Sequence, residues 1–205
     1  MLSELKITEF LARTASSDPV PGGGSVSALG AAMAAALSEM VASITIGRKG
    51  FENYEKEMLE IVQRARSLRK KLVKDIDRDS DAYSQVLAAF KLANDTEEHK
   101  NERSQAVQDG LKQAALIPLG VAKDASELLD LAGKVVTRGN KNAVTDAAVA
   151  AMMARTAILG ALLNVKINLK SIKDLSFVKD VADQVQEIES RVARKEKNIL
   201  NQIDV

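Results

Sequence analysis

From Val26 to Ile46 the chain is rich in alanine and carries one charge, Glu39. A run this apolar has to be enclosed, by protein or by lipid. Glu39 near its middle and the preference for alanine over leucine argue against lipid, because a central carboxylate opposes insertion. The expectation is a core helix, about Ser25–Ile46, whose alanines let neighbouring helices approach closely. It is entered through Pro19-Val20-Pro21-Gly22-Gly23-Gly24-Ser25. There two prolines stiffen the approach, three glycines strip side chains from the turn, and Ser25 stands where an N-cap would. Backbone amides exposed at a helix start attract anionic or carbonyl groups, so this loop reads either as a ligand cradle or as a tight entry turn.

The rest of the chain is helical in pattern, with no alternating strand signature. Leu2, Leu5, Ile7, Phe10 and Leu11 give a short first helix ending at Ser16-Ser17-Asp18-Pro19. Gly47-Arg48-Lys49-Gly50 stops the second helix. The third, from Glu52 to about Ala93, carries Ile61, Ala65, Leu68, Leu72, Ile76, Tyr83, Val86 and Phe90 on one face, with Asp79 in the slot between Ile76 and Tyr83. Asp75, Asp77 and Asp81 fall on flanking faces and read as solvated charges. The fourth helix runs from Glu97 to about Gly133, and Pro118 should kink or split it. A fifth, Ala143–Ile167, is again alanine-rich, and a charged outer helix follows from about Asp174 to Ile203. The fold class expected is all-α: an antiparallel helical bundle with two buried alanine-rich helices, in one domain spanning residues 1–205.

Lysine plus arginine total 29 against 28 acidic residues, and aromatics make up 3% of the chain. Neither a basic face nor stacking rings for a nucleic acid are present, so no nucleic-acid partner is expected. Without cysteine there is no disulfide, thiolate nucleophile or cysteine zinc site, and no other metal constellation stands out. No leader pattern occurs in Met1–Arg13, which carries Glu4, Lys6 and Glu9. A cytoplasmic protein without a membrane span is expected.

Two carboxylates stand out. Asp79 on an apolar stripe costs free energy unless paired or neutralised, and burial would raise its pKa toward a useful acid–base range. The alternative is an ion pair with Arg155, Lys134 or Arg138. On the fifth helix Asp146, Ala150, Met153, Ala157, Gly160, Asn164 and Asn168 recur at three- or four-residue steps, which gives a ligand groove or a close helix crossing. Glu39 is expected to pair with Arg155, and His99 to lie on the surface. Arg48 and Lys49 read as cations at a helix C-terminus, or as receivers of a ligand carboxylate.

Four motifs occur in order along nearly the whole chain: Pro19-Val20-Pro21-Gly22-Gly23-Gly24-Ser25-Val26-Ser27-Ala28, Asp79-Ser80-Asp81-Ala82-Tyr83, Gly139-Asn140-Lys141-Asn142-Ala143-Val144-Thr145-Asp146 and Asn164-Val165-Lys166-Ile167-Asn168. Together they resemble the formiminotetrahydrofolate cyclodeaminase family, which includes methenyltetrahydrofolate cyclohydrolases. The sequence departs where Leu92-Ala93-Asn94 stands in place of an expected Leu-Pro-Lys. The resemblance implies a homodimer with a folate site between helices, a tetrahydrofolate substrate and no further cofactor. It implies catalytic roles for Asp79 and Asp146. Substrate contacts are implied for Pro21, Gly22, Gly23, Gly24, Ser25, Asn142, Asn164 and Asn168, with Arg48 and Lys49 at the glutamate tail. The matched stretches include no formiminotransferase portion, so that activity is expected of a separate chain.

Overall fold

The computed structural model describes residues 1–203. It has six α-helices and no strand among them: α1 (Ile7–Thr14), α2 (Gly23–Ser43), α3 (Glu55–Phe90), α4 (Glu97–Arg138), α5 (Val144–Leu169) and α6 (Leu175–Leu200). Helices α2 to α5 form an up-down-up-down bundle in which each packs antiparallel on the next and α5 closes back on α2. The pairing can be followed through Ser25 and Glu39 of α2 against Ile76 and Arg69 of α3. It continues through Arg64 and Lys71 of α3 against Glu127 and Asp124 of α4. Helix α6 lies outside, antiparallel to α5 through Lys166–Glu189 and Arg155–Glu196. Its valines Val181, Val185 and Val192 are buried against α4 and α5.

Several expectations need correction. The first helix is broken into a 3-10 turn, Leu2–Glu4, and α1, because the Asp77 carboxylate takes the amides of Leu2 and Ser3 and the Ser3 hydroxyl. Asp77 and Asp75 are therefore buried, not solvated. Asp75 is 2% exposed and pairs with Arg78 at 2.6 Å and with Lys71 at 3.4 Å. Tyr83 and Phe90, read as core, are substantially exposed, while Ala82 and Ala89 take the inward positions. Helix α4 is not split at Pro118 and runs unbroken to Arg138. Glu39 pairs with Arg66 and Arg69 instead of Arg155. Burial works to raise the Glu39 pKa, but hydrogen bonds from the two guanidiniums outweigh it and hold the carboxyl low.

The alanine-rich helices are only half enclosed. By length and composition both α2 and the Lys141–Leu169 segment could cross a membrane, yet about half of each is buried within the bundle. Alanines 28, 31, 34 and 35 of α2 and 147, 150, 151, 154 and 161 of α5 are wholly inaccessible, as a core helix requires. The other face of each helix is open. Val26, Met33 and Met40 on α2 and Val149, Met152 and Leu163 on α5 remain 40–64% exposed.

Candidate active site

Ser25 does not cap α2. The N-cap is Gly22, with extended backbone, and Ser25 lies one turn inside the helix with no exposure. Its hydroxyl lies 2.9 Å from the Ile76 carbonyl and 3.1 Å from Asp79 Oδ2, both on α3. A hydroxyl has one proton and lone pairs to spare. When Asp79 is ionised Ser25 can donate to it. When Asp79 is protonated it can donate to Ser25 while Ser25 donates to Ile76. Both protonation states are thus hydrogen-bonded without moving a backbone atom.

None of the cations offered by the sequence reaches Asp79. Arg155 pairs with Glu196, and Lys134 and Arg138 pair with Glu57. Burial pushes the Asp79 carboxyl above its ordinary value, and the Ser25 hydroxyl and amide offset part of the rise. Such a carboxyl keeps its proton to a higher pH than an ordinary aspartate, the direction acid–base chemistry needs.

Asp79 opens into a cavity of about 290 Å³ lined by Pro19, Val20, Gly22, Gly23, Gly24, Tyr83, Ala114, Asn164, Ile167 and Asn168. The glycines are required by close approach. A Cβ on Gly24 would overlap the Asp79 carboxylate, and one on Gly23 would lie 3.0 Å from Asn164 Nδ2. Pro21 is buried behind the loop and does not line the cavity, whereas Pro19 and Val20 do. Larger clefts of about 510 and 590 Å³ open around Phe90 and around Leu92 and Phe177, but neither touches Asp79 or the glycine loop.

The far wall is built from α5. Asn164 Nδ2 donates to Gly160 O at 2.8 Å, and Asn168 Nδ2 donates to Asn164 O at 3.0 Å and to Ala114 O at 2.8 Å. The last contact explains Pro118. Proline has no N–H, so the carbonyl four residues earlier, Ala114, loses its helical partner. Asn168 takes that vacant acceptor, which ties α5 to α4 and fixes the amide at the cavity wall. The Oδ1 atoms of both asparagines keep no partner among the described residues, leaving two acceptors for donors on a ligand. Tyr83 is a lining residue that the stripe on α3 had assigned to the core. Its signal was its place one turn after Asp79.

The remaining candidates are elsewhere. Thr45 Oγ1 accepts from Asn140 N at 2.9 Å, so the end of α2 meets the start of α5 at the opposite end of the molecule. Arg48, Lys49, Asn142 and Asp146 belong to that end. Asp146 and Asn164 are eighteen residues apart, five full turns, so they share a face of α5 but lie about 27 Å from each other along its axis. Within one chain Asp79, the glycine loop, Asn164 and Asn168 converge, and Asp146, Asn142, Arg48 and Lys49 do not join them.

The bundle thus holds a carboxylate of raised pKa beside a cavity walled in part by glycine backbone. Residues 6–187 match the family model described as formiminotransferase-cyclodeaminase, and the chain belongs to that family. It is 36% identical over 187 residues to the methenyltetrahydrofolate cyclohydrolase of Methylorubrum extorquens, covering 91% of this chain and 88% of that protein. Over 195 residues it is 33% identical to the formimidoyltransferase-cyclodeaminase of Sus scrofa, covering 95% of this chain but only 36% of that longer protein. The crystal structure of formiminotetrahydrofolate cyclodeaminase from Thermotoga maritima superposes with a TM-score of 0.89 at 32% identity, over 99% of this chain and 98% of the other. These relatives are folate-converting enzymes by name, cyclohydrolase in one case and cyclodeaminase in the others.

Proposed function

We propose that this protein cyclises 5-formiminotetrahydrofolate to 5,10-methenyltetrahydrofolate with release of ammonia. The observation that carries the proposal is Asp79, a carboxyl of raised pKa that can be hydrogen-bonded in both protonation states, facing a cavity walled in part by glycine backbone. In the reaction the aminobenzoyl nitrogen attacks the formimino carbon and forms a third C–N bond there, which closes the ring. The proton on that nitrogen must leave, the amino group on the same carbon must gain one, and the C–NH₃⁺ bond then breaks to give ammonia and the methenyl cation. One carboxylate can take the first proton and deliver the second, provided it tolerates both states. Asp79 has that property.

Cavity and chemistry divide the remaining work. Glycine backbone from Gly22 to Gly24 gives a pterin or benzoyl ring a wall without side chains. Asn164 and Asn168 offer acceptors to the ring's amino and N–H donors. Holding the two reacting nitrogens on one carbon converts a flexible chain into a near-attack geometry.

A second reading is favoured by the 36% identity to a cyclohydrolase of similar length. There water adds to the methenyl carbon, loses a proton to the same carboxylate, and the ring opens to 10-formyltetrahydrofolate. No finding favours a folate-binding protein without activity. The two reactions are separated directly by assay. Ammonia released from 5-formiminotetrahydrofolate supports the first, and loss of methenyl absorbance beyond the uncatalysed rate, in the absence of ammonia, supports the second. Turnover of neither substrate by the folded protein overturns both.

A further inference from the structure

Pro118 is buried near the middle of α4, a helix of 42 residues, and does not line the Asp79 cavity. A proline in that position removes one helical hydrogen bond and crowds the carbonyl four residues back, which is that of Ala114. The loss exceeds what one neutral hydrogen bond returns, so the bond from Asn168 to Ala114 O does not by itself offset the proline in stability. Its effect is on orientation.

Ala114 and Asn168 both line the cavity. An asparagine amide has two protons, and Asn168 commits both: one goes to Asn164 O within α5 at 3.0 Å, the other to Ala114 O on α4 at 2.8 Å. The terminal torsion of an asparagine is soft, so a single bond to its own helix would let the amide swing. Bonds to carbonyls on two different helices do not. The reverse orientation would set Oδ1 against two carbonyl oxygens and leave both protons unused, so Oδ1 is the atom left for a ligand. Asn164 differs, because its one side-chain bond, to Gly160 O, runs back along α5. The lock on Asn168 therefore depends on α4, and on the Ala114 carbonyl being free. An N–H at position 118 would claim that carbonyl and align it with the helix axis.

We infer that Pro118 is a positioning residue for the site: by withholding an N–H from Ala114 O it holds the Asn168 amide with Oδ1 toward the cavity, as an acceptor for an N–H donor of the ligand. It acts through Asn168 and meets no ligand itself. The identity of the ligand rests on the folate-converting reading, in which the amino and ring N–H groups of a pterin are the donors. The orientation of the amide does not rest on that reading.

The lock is tested first in the free protein, by NMR of the side-chain amides. The Asn168 signals, assigned by their loss in Asn168→Ala, should exchange with solvent more slowly than those of the exposed Asn101. Pro118→Ala should speed that exchange by roughly 3- to 10-fold, the scale of one neutral hydrogen bond. Asn168 signals that exchange in wild type as fast as those of Asn101, or equally fast in both proteins, overturn the inference whatever the enzyme does. Kinetics and melting then separate positioning from packing. Pro118→Ala restores a helical bond and removes the poorest helix former, so it should melt no lower than wild type. Its KM should nevertheless rise roughly 3- to 10-fold with kcat within about twofold, the mark of a lost binding contact. A variant that melts lower with KM unchanged would assign Pro118 to packing alone and overturn the inference. Asn168→Ala should raise KM by a similar factor in wild type and add nothing further in the Pro118→Ala background, because both changes remove the same contact. Effects that multiply would show that the two residues act separately, and would overturn it as well. Wild-type protein inactive on both folates, with the contrast in amide exchange intact, would support the lock and count against the proposed function.

Discussion

Asp75, Asp77 and Asp79 lie within five residues on α3, and only one is free to do chemistry. Asp75 is locked between Lys71 and Arg78, and Asp77 is held by three donors from the N-terminal turn. Asp79 has only the neutral hydroxyl and amide of Ser25 for partners and a cavity in front of it. The difference lies less in burial than in what compensates it. A buried carboxylate given cations or several donors is tied into the structure, whereas one given only the hydroxyl and amide of a single serine can be hydrogen-bonded in either protonation state. The first two therefore hold the fold, and the third is the one the proposed reaction draws on.

Removing the exchangeable proton is the strongest test of that contrast. Asp79→Asn preserves shape and the contact to Ser25, and should lower turnover at least ~100-fold with little change in substrate affinity, read from kcat and KM separately. A rate near wild type would take Asp79 out of the mechanism. Displacing the carboxylate is the next test. Gly24→Ala puts a methyl group where the Asp79 carboxylate lies. A carboxylate moved by about 1 Å should cost on the order of 10- to 100-fold in kcat. Gly23→Val reaches Asn164 instead, and should raise KM more than it lowers the melting temperature.

The structural aspartates should respond in the opposite way. Asp77→Ala strips three donors of their acceptor and should lower stability by about 1–3 kcal/mol in denaturant titration. Turnover per folded molecule should remain within about twofold of wild type. If Asp77→Ala lost activity without losing stability, the division of labour along α3 would be wrong.

Sequence patterning made the bundle legible and marked this slot, because helix α3 shows a seven-residue gap between Ile76 and Tyr83 that only Asp79 interrupts. It misplaced the other two aspartates. Helical periodicity assigns a face, but it cannot see that the first residues of the chain fold back onto α3 or that Lys71 and Arg78 bend toward Asp75. The same blindness made Pro118 look like a break. Its missing N–H is compensated from another helix by Asn168, fifty residues later, a long-range bond with no local signature. The alanine runs were read as enclosed by protein, and composition does not distinguish a helix at a bundle's centre from one at its edge. The glycine loop, Asn164 and Asn168 were recognisable through motif resemblance. Their convergence on Asp79 depended on α2 and α5 being antiparallel neighbours, which only the fold shows.

The smallest effect is also the one that most directly measures how Asp79 differs from its neighbours. Its native pKa lies above the ordinary value of 3.8, so between those two pH values the folded protein binds a proton that the unfolded chain has released. Stability then falls as pH rises through that window. The contribution of Asp79 is fully present below the unfolded pKa and is lost once the pH passes the folded one. Asparagine cannot ionise and mimics the protonated acid toward Ser25. Asp79→Asn should accordingly melt higher than wild type at pH 8, and the difference should shrink toward zero as the pH is lowered to about 4. A carboxylate fixed by ion pairing gives the reverse, because its removal destabilises most at neutral pH. If Asp79→Asn melts lower than wild type at pH 8, Asp79 is a structural carboxylate, and the proton shuttle assigned to it has no basis.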